Sequence, residues 1–441
     1  VSEEQPGLAR RVTYGGAVAI GLASMIGAGV FSVFAPAAAA AGELLLVGLA
    51  IAAFVAFANA SSTAQLAARY PESGGAYRYG RERLGEWPGF LAGWGFVVGK
   101  TASCAAMAMT AAAYLVPAAW ERPVAVAAVV AVAAVNLRGI TRTTRAATII
   151  VAIVLAVLVL VIVAGIVAAV TAATSGVSFG FVAGDEAPAL PLLPGAGDEP
   201  SASPYGVLQS AGLLFFAFAG YARVATLGEE VVDPARTIPR AIQTSLGVVF
   251  ALYAGIAVTL LAALGPVALA ASDQPLADTV ALAGWQWAVP IVSIGAGLAA
   301  LGALLALIAG IGRTALAMAR DRELPAPLAA VHPRHRVPHV AEATVAVAIV
   351  ALILVADLRG AIGFSSFGVL VYYLVANLAA VTQPRAERRV PRALSVMGAS
   401  GCLVLVATLP WPSVVAGVAV FAVGAAIRSI AIARRRRAGS S

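Results

Sequence analysis

The chain is 441 residues long, 61% hydrophobic and only 11% charged, with a formal net charge of +8. Soluble domains carry roughly 25% charged residues, so this composition excludes a water-soluble fold. The positive charge does not point to nucleic acid, because the basic residues fall in short clusters between apolar runs, where membrane topology accounts for them.

Residues 1–13 are polar and read as a cytoplasmic N-terminus. Apolar runs follow at 14–40, 44–66, 88–117, 121–137, 145–174 and 205–227, then at 238–265, 284–312, 339–356, 360–382, 392–409 and 411–433. A helix rising 1.5 Å per residue needs ~20 residues to cross a ~30 Å hydrocarbon core, so these runs predict an all-α polytopic membrane protein with about twelve transmembrane helices. The first run is far too long for a cleaved signal sequence, and the first helix is expected to be retained. With both termini cytoplasmic, 25 Lys and Arg lie in cytoplasmic segments, against Arg122 and Arg359 outside and Lys100 and Arg223 within spans. That asymmetry predicts a multi-pass protein of the cytoplasmic membrane. Segment 175–204 carries Asp185, Glu186, Asp198 and Glu199 without a basic residue and reads as an external loop. Residues 434–441 begin with Arg434 to Arg437, a basic tail read as a plain stop-transfer anchor, with contact to anionic lipid as the alternative.

Two spans are weakened by glycine. The first contains Gly21, then Gly27, Ala28 and Gly29; the sixth contains Phe215 to Tyr221 with Gly220 near its end. Glycine alone favours close helix packing. A matched pair in spans one and six predicts two inverted five-helix repeats, 14–174 and 205–382, whose first helices are discontinuous at mid-membrane. Broken backbone is costly in lipid unless it lines a cavity. An unwound Gly27 to Gly29 offers amide donors at a half-helix start, suited to a carboxylate, while carbonyls of the Ser24 to Ile26 stretch suit an ammonium group. The two ends together make a site for a zwitterion.

Further along, Tyr70 to Tyr77 with Gly93 and Trp94, the stretch from Gly228 through Asp233, Pro234 and Ile238 to Arg240, and Met318 to Asp321 with Leu324, Pro325, His332 and Pro333 recur in order. With Gly27 to Phe31 and Phe215 to Tyr221, they resemble the amino acid-polyamine-organocation (APC) family of permeases over nearly the whole chain. The resemblance implies a LeuT-like five-plus-five core, peripheral helices at 383–433, and alternating access to an amino acid held between helices one and six. Ser24, Ile26, Gly27, Ala28, Gly29, Phe216, Ala217, Phe218 and Gly220 are then the expected substrate-binding residues, with Phe216 as an aromatic lid. Several relatives carry an acidic residue one place after Tyr221, where this chain has Ala222 and then Arg223. The loss of that counter-charge favours a neutral amino acid. A polyamine or cationic amino acid exchanger and a transporter-like sensor are the alternatives.

No catalytic residue, cofactor or metal is expected. Cys104 and Cys402 lie inside apolar runs, and no intramembrane His, Asp or Glu cluster, no Walker-type loop and no continuous polar pore lining appears. His332, His335 and His339 share a proline-interrupted, arginine-rich loop and read as solvated. Glu229 and Glu230, beside Asp233, Arg236 and Arg240, read as gating or structural. A sodium site in this architecture takes hydroxyls from helix eight, yet Ile294 to Arg313 contains no Ser, Thr, Asp or Glu, so protons are the coupling ion considered. Lys100, the only lysine, lies 12 residues beyond Pro88, about 18 Å up a helix and near mid-membrane. An ammonium there should face the bundle interior, either exchanging a proton in each cycle or donating to freed carbonyls.

Overall fold

The computed structural model describes residues 12–70, 74–138, 143–174, 203–225 and 231–438. The first apolar run becomes three pieces, α1 (Tyr14–Met25), α2 (Gly29–Ser32) and α3 (Phe34–Ala41), before Gly42 at φ 53° turns the chain. A left-handed turn of this kind is open to glycine at little steric cost. α4 (Leu45–Arg69) returns across the bundle. A short amphipathic helix, α5 (Ala76–Leu84), then leads into α6 (Glu86–Leu115). α7 (Glu121–Leu137), α8 (Thr143–Thr174) and α9 (Pro204–Phe218) follow, and a 3-10 turn at Ala219–Tyr221 separates α9 from α10 (Ala222–Ala225). The remaining helices are α11 (Pro234–Ala271), α12 (Pro275–Leu282), α13 (Val289–Arg320), α14 (His339–Val355), α15 (Leu358–Val381), α16 (Arg392–Thr408) and α17 (Trp411–Ala438).

Ten stretches of the described residues are long and apolar enough to cross a membrane. α14 and α16 are apolar but only 17 residues each, a rise of about 26 Å against a hydrocarbon core of ~30 Å. The chain is thus an all-α polytopic membrane protein. Neither α5 nor α12 follows from the apolar runs, because both are too short to register as spans and α5 is polar as well.

The most enclosed stretches are Glu86–Leu115 and Pro204–Ala225, each 78% buried, and Leu358–Val381, 72% buried; Ala118–Leu137 and Trp411–Ile430, at 17% and 22%, line the edge. α6 and α15 meet almost backbone to backbone. A Cβ on Gly95 would stand 2.7 Å from the Gly368 carbonyl oxygen, so no larger residue fits without moving a helix. Without a hydrophobic drive between helices in lipid, such close packing and interhelical hydrogen bonds hold the bundle. Three buried polar pairs add to it: Asn377 Nδ2 donates to Asn59 Oδ1 at 2.6 Å, Ser62 to Ser395 at 2.9 Å, and the hydroxyls of Ser103 and Ser365 meet at 2.6 Å.

Two clusters sit at the end of the bundle where α1 begins. In one, the nearly buried Glu323 accepts from Arg81 Nη1 at 2.6 Å and from Arg428 Nη2 at 3.1 Å. Arg428, 4% exposed, also lies 4.4 Å from the Trp87 ring centroid and 5.1 Å from that of Phe90. The Tyr77 hydroxyl donates to Asp321 at 2.6 Å in the same cluster. α5, the start of α6, the loop after α13 and the edge helix α17 are joined through one carboxylate. Burial pushes the Glu323 carboxyl up from its ordinary range against the opposing pull of Arg81 and Arg428. In the other cluster, Val232 N donates to Val12 O at 2.9 Å, the Tyr14 and Thr244 hydroxyls meet at 2.8 Å, and a Cβ on Gly21 would stand 3.0 Å from Val224.

Candidate functional site

The first span loses helical form at Ile26–Ala28 and regains it at Gly29, while the sixth tightens to a 3-10 turn just after Phe218. The two irregular segments touch through their backbones. A Cβ on Gly220 would lie 2.1 Å from the Ser24 carbonyl oxygen, and one on Gly29 would lie 2.8 Å from Ala217 Cα. Glycine at both positions is therefore a requirement of contact between the breaks.

Interrupted helices leave carbonyls without their usual partners, and buried carbonyls need donors. Buried side chains from neighbouring helices supply them. Tyr253 of α11 donates to Met25 O at 2.7 Å and lies 3.4 Å from Ala217 O, bridging both breaks. Ala219 O accepts from Lys100 Nζ at 3.1 Å and from the Tyr373 hydroxyl of α15 at 3.2 Å. Tyr114 donates to Phe31 O at 3.2 Å.

A cavity opens beside these breaks, with about 1010 Å³ of empty space counting its mouth. It runs along α13 from Ala303 to Ala317 and reaches Gly74, towards the end of the bundle where α1 starts. Of the residues expected from sequence, Ser24, Gly27, Ala28, Gly29, Phe216, Gly220 and Lys100 line it. Ile26, Ala217 and Phe218 do not; Phe218 instead packs its ring 5.2 Å from that of Tyr253. The Ser24 hydroxyl is bound back to Ile20 O at 2.8 Å, which leaves its carbonyl as the group nearest Gly220. Glu229 and Glu230 lie outside the described residues. Arg223, read from sequence as lying within a span, is also on the cavity wall.

Other wall residues escape the motif reading. Phe96, Ser103 and Met107 flank Lys100 at intervals of three and four residues, one face of α6, and Ala303, Ala306, Leu307, Gly310, Arg313, Thr314 and Ala317 form one face of α13. Extending the helical period from Lys100 would have found the first set. The second has no polar marker until Arg313. Tyr253 and Tyr373 carry no local signal, since the carbonyls they satisfy belong to other helices, 228 and 36 residues from Tyr253 and 154 from Tyr373.

Away from the cavity, the rings of His335 and His339 lie 4.8 and 5.4 Å from that of His332. Nδ1 of His332 accepts from the backbone of Arg334 and His335, so this ring folds onto its own turn.

A family model described as amino acid permease matches residues 13–432. An uncharacterized transporter of Mycobacterium tuberculosis is 55% identical over 436 residues, covering 98% of this chain and 94% of its own. The branched-chain amino acid permease BcaP of Bacillus subtilis is 26% identical, with 90% of this chain and 87% of its own covered. Cationic amino acid transporter 6 of Arabidopsis thaliana is 29% identical over 86% of this chain and 66% of its own. Matched along almost its whole length, this chain belongs to the amino acid permease family of the APC superfamily and is a transporter, not an enzyme.

Proposed function

We propose that the protein is a secondary carrier that moves a neutral amino acid across the cytoplasmic membrane by alternating access, linked to protons, with both termini cytoplasmic and the cavity open to that side. The observation that carries this reading is the cavity at two touching helix breaks, walled by Gly27, Ala28 and Gly29. Their amides face a substrate carboxylate at the start of a half-helix, where partial positive charge favours an anion. Phe216 closes over the substrate as a lid. Tyrosines already occupy several freed carbonyls, so the substrate ammonium is left the backbone oxygens around Ser24.

Charge on the wall supports a neutral side chain. Lys100, Arg223 and Arg313 line the cavity and no carboxylate does, among the described residues. A cationic side chain would meet three cations and no carboxylate on the described wall, a repulsion that grows as dielectric falls. The plant relative named as a cationic amino acid transporter favours the second reading, an exchanger of arginine-like substrates. Radiolabelled uptake into proteoliposomes decides between them. Leucine or alanine should accumulate and excess arginine should not compete. Arginine uptake at the higher rate would overturn the neutral assignment, and no uptake or exchange of any amino acid would overturn the carrier.

Lys100 is the coupling residue of this proposal. Its ammonium holds Ala219 O, so loss of its proton alters the hydrogen bonding of the sixth break and thereby the exchange between open and closed forms.

A further inference from the structure

Behind the cavity wall lies a carboxyl that the site does not use. Glu342, in the first turn of α14, is 2% exposed, and its Oε2 has no hydrogen-bond partner. It fits into a notch in α13: a Cβ on Gly312 would stand 2.7 Å from Glu342 Cγ and 3.5 Å from its Oε1. The next residue, Arg313, is on the cavity wall, and its guanidinium acts electrostatically on the Glu342 carboxyl. His339 precedes Glu342 by one turn, its Nδ1 buried and without a partner, and its ring meets that of His332. α6 and α7 also pack against α14, and the charged residues on or flanking them are Glu86, Lys100, Glu121, Arg122 and Arg138.

We propose that Glu342 is a proton-carrying site of the transport cycle, exchanging its proton with the cavity through the Gly312 notch beside Arg313. Its chemistry is simple: the carboxylate takes one proton from the solution facing the open cavity and returns it as a proton. A buried carboxylate with one unpartnered oxygen is costly in its charged form and depends on the guanidinium next to it. In the open form Arg313 faces empty space. Closing the cavity removes that space and changes the field at Glu342, so opening and protonation are linked, and by reciprocity protonation biases opening. This rests on the carrier reading and adds to it a second titrating group besides Lys100.

Two measurements test it. Infrared pH titration of the substrate-free parent should show a protonated buried-carboxyl band that titrates with pH and is missing in Glu342→Gln. A parent without that band at any pH from about 4 to 9, or a variant that keeps it, overturns the proposal whether or not an amino acid is carried. In proteoliposomes, a single linked proton changes apparent affinity by at most about tenfold per pH unit. Glu342→Gln should keep amino acid exchange and flatten this slope to within about twofold, and Glu342→Asp should restore it. An unchanged slope in the glutamine variant refutes the role, as does a flat aspartate variant that still exchanges. A parent that neither binds nor exchanges an amino acid defeats the carrier reading alone, since the infrared result stands independently.

Discussion

Replacing Arg428 by alanine removes one of two guanidiniums that hold Glu323. The remaining partner, Arg81 at 2.6 Å, is 22% exposed at its side chain, whereas Arg428 and Glu323 are both 4% exposed at theirs. Breaking a buried pair by deleting one member costs about 3–5 kcal/mol, because a buried charge loses its compensation. Arg81 compensates in part, which places the loss near the lower bound. Contacts over Trp87 and Phe90 add roughly 1–2 kcal/mol of cation–π attraction that alanine also forfeits. An overall loss of about 3–5 kcal/mol is expected. It should depend on pH. Losing one opposing guanidinium lets burial push the Glu323 carboxyl further up. A group raised in the folded state contributes most below its unfolded pKa and loses that contribution as pH rises through the folded value. The deficit of Arg428→Ala relative to the parent should therefore be largest at neutral and alkaline pH and shrink as pH falls. Equilibrium unfolding in mixed micelles, repeated across pH, measures both quantities. Glu323→Gln combined with Arg428→Met should recover most of the loss, since an apolar pair removes the buried charge problem. A single-variant loss under about 0.5 kcal/mol, the scale of an exposed ion pair, or a deficit that grows towards acid, would refute the account.

Gly220→Ala should abolish amino acid binding, because its methyl would sit 2.1 Å from Ser24 O, while Gly247→Ala, with nothing within 4 Å, should bind normally in the same thermal-shift titration. Tyr253→Phe removes the bridge between Met25 O and Ala217 O; it should cost about 1 kcal/mol in stability and weaken substrate binding measurably by calorimetry. Lys100→Gln should retain exchange in counterflow but lose the response of uptake to an imposed pH gradient. A sodium gradient at fixed pH and voltage should leave uptake unchanged, because α13 offers no hydroxyl or carboxylate from Ile294 to Gly312.

The paired breaks were legible because glycine at 27, 29 and 220 marks them within otherwise continuous apolar runs. The physical reason for those glycines was only half legible. They were read as sources of freed amides, yet Gly29 and Gly220 are also held against the backbone of the opposite break. Gly29→Leu would thus disrupt packing as well as binding. Lys100 was legible by its cost in lipid, and its partner carbonyl was foreseen in kind. The tyrosines, the α13 wall and the Glu342 notch were not, since each exists only through how separate helices pack and none is marked by a local pattern. α5 was hidden for another reason: its first turn follows Gly74 and Gly75 at φ 126° and 54°, a geometry that reads as loop.

The hydrogen bond from Val232 N to Val12 O, within the bridge that pairs Val12 with Val231, has a mechanical consequence. α1 begins beside it, and Val231 and Val232 come after α10 in the chain, so the start of α1 is tied to the segment that leads into α11. The close approach of Gly21 to Val224 joins α1 to α10 again, and Tyr14 to Thr244 ties α1 to α11. In the proposed transport cycle α1 and α10 are then expected to move as one body. A pair of probes at Val12 and Val232 should keep one separation through the whole cycle, while either probe measured against α13 records the full stroke.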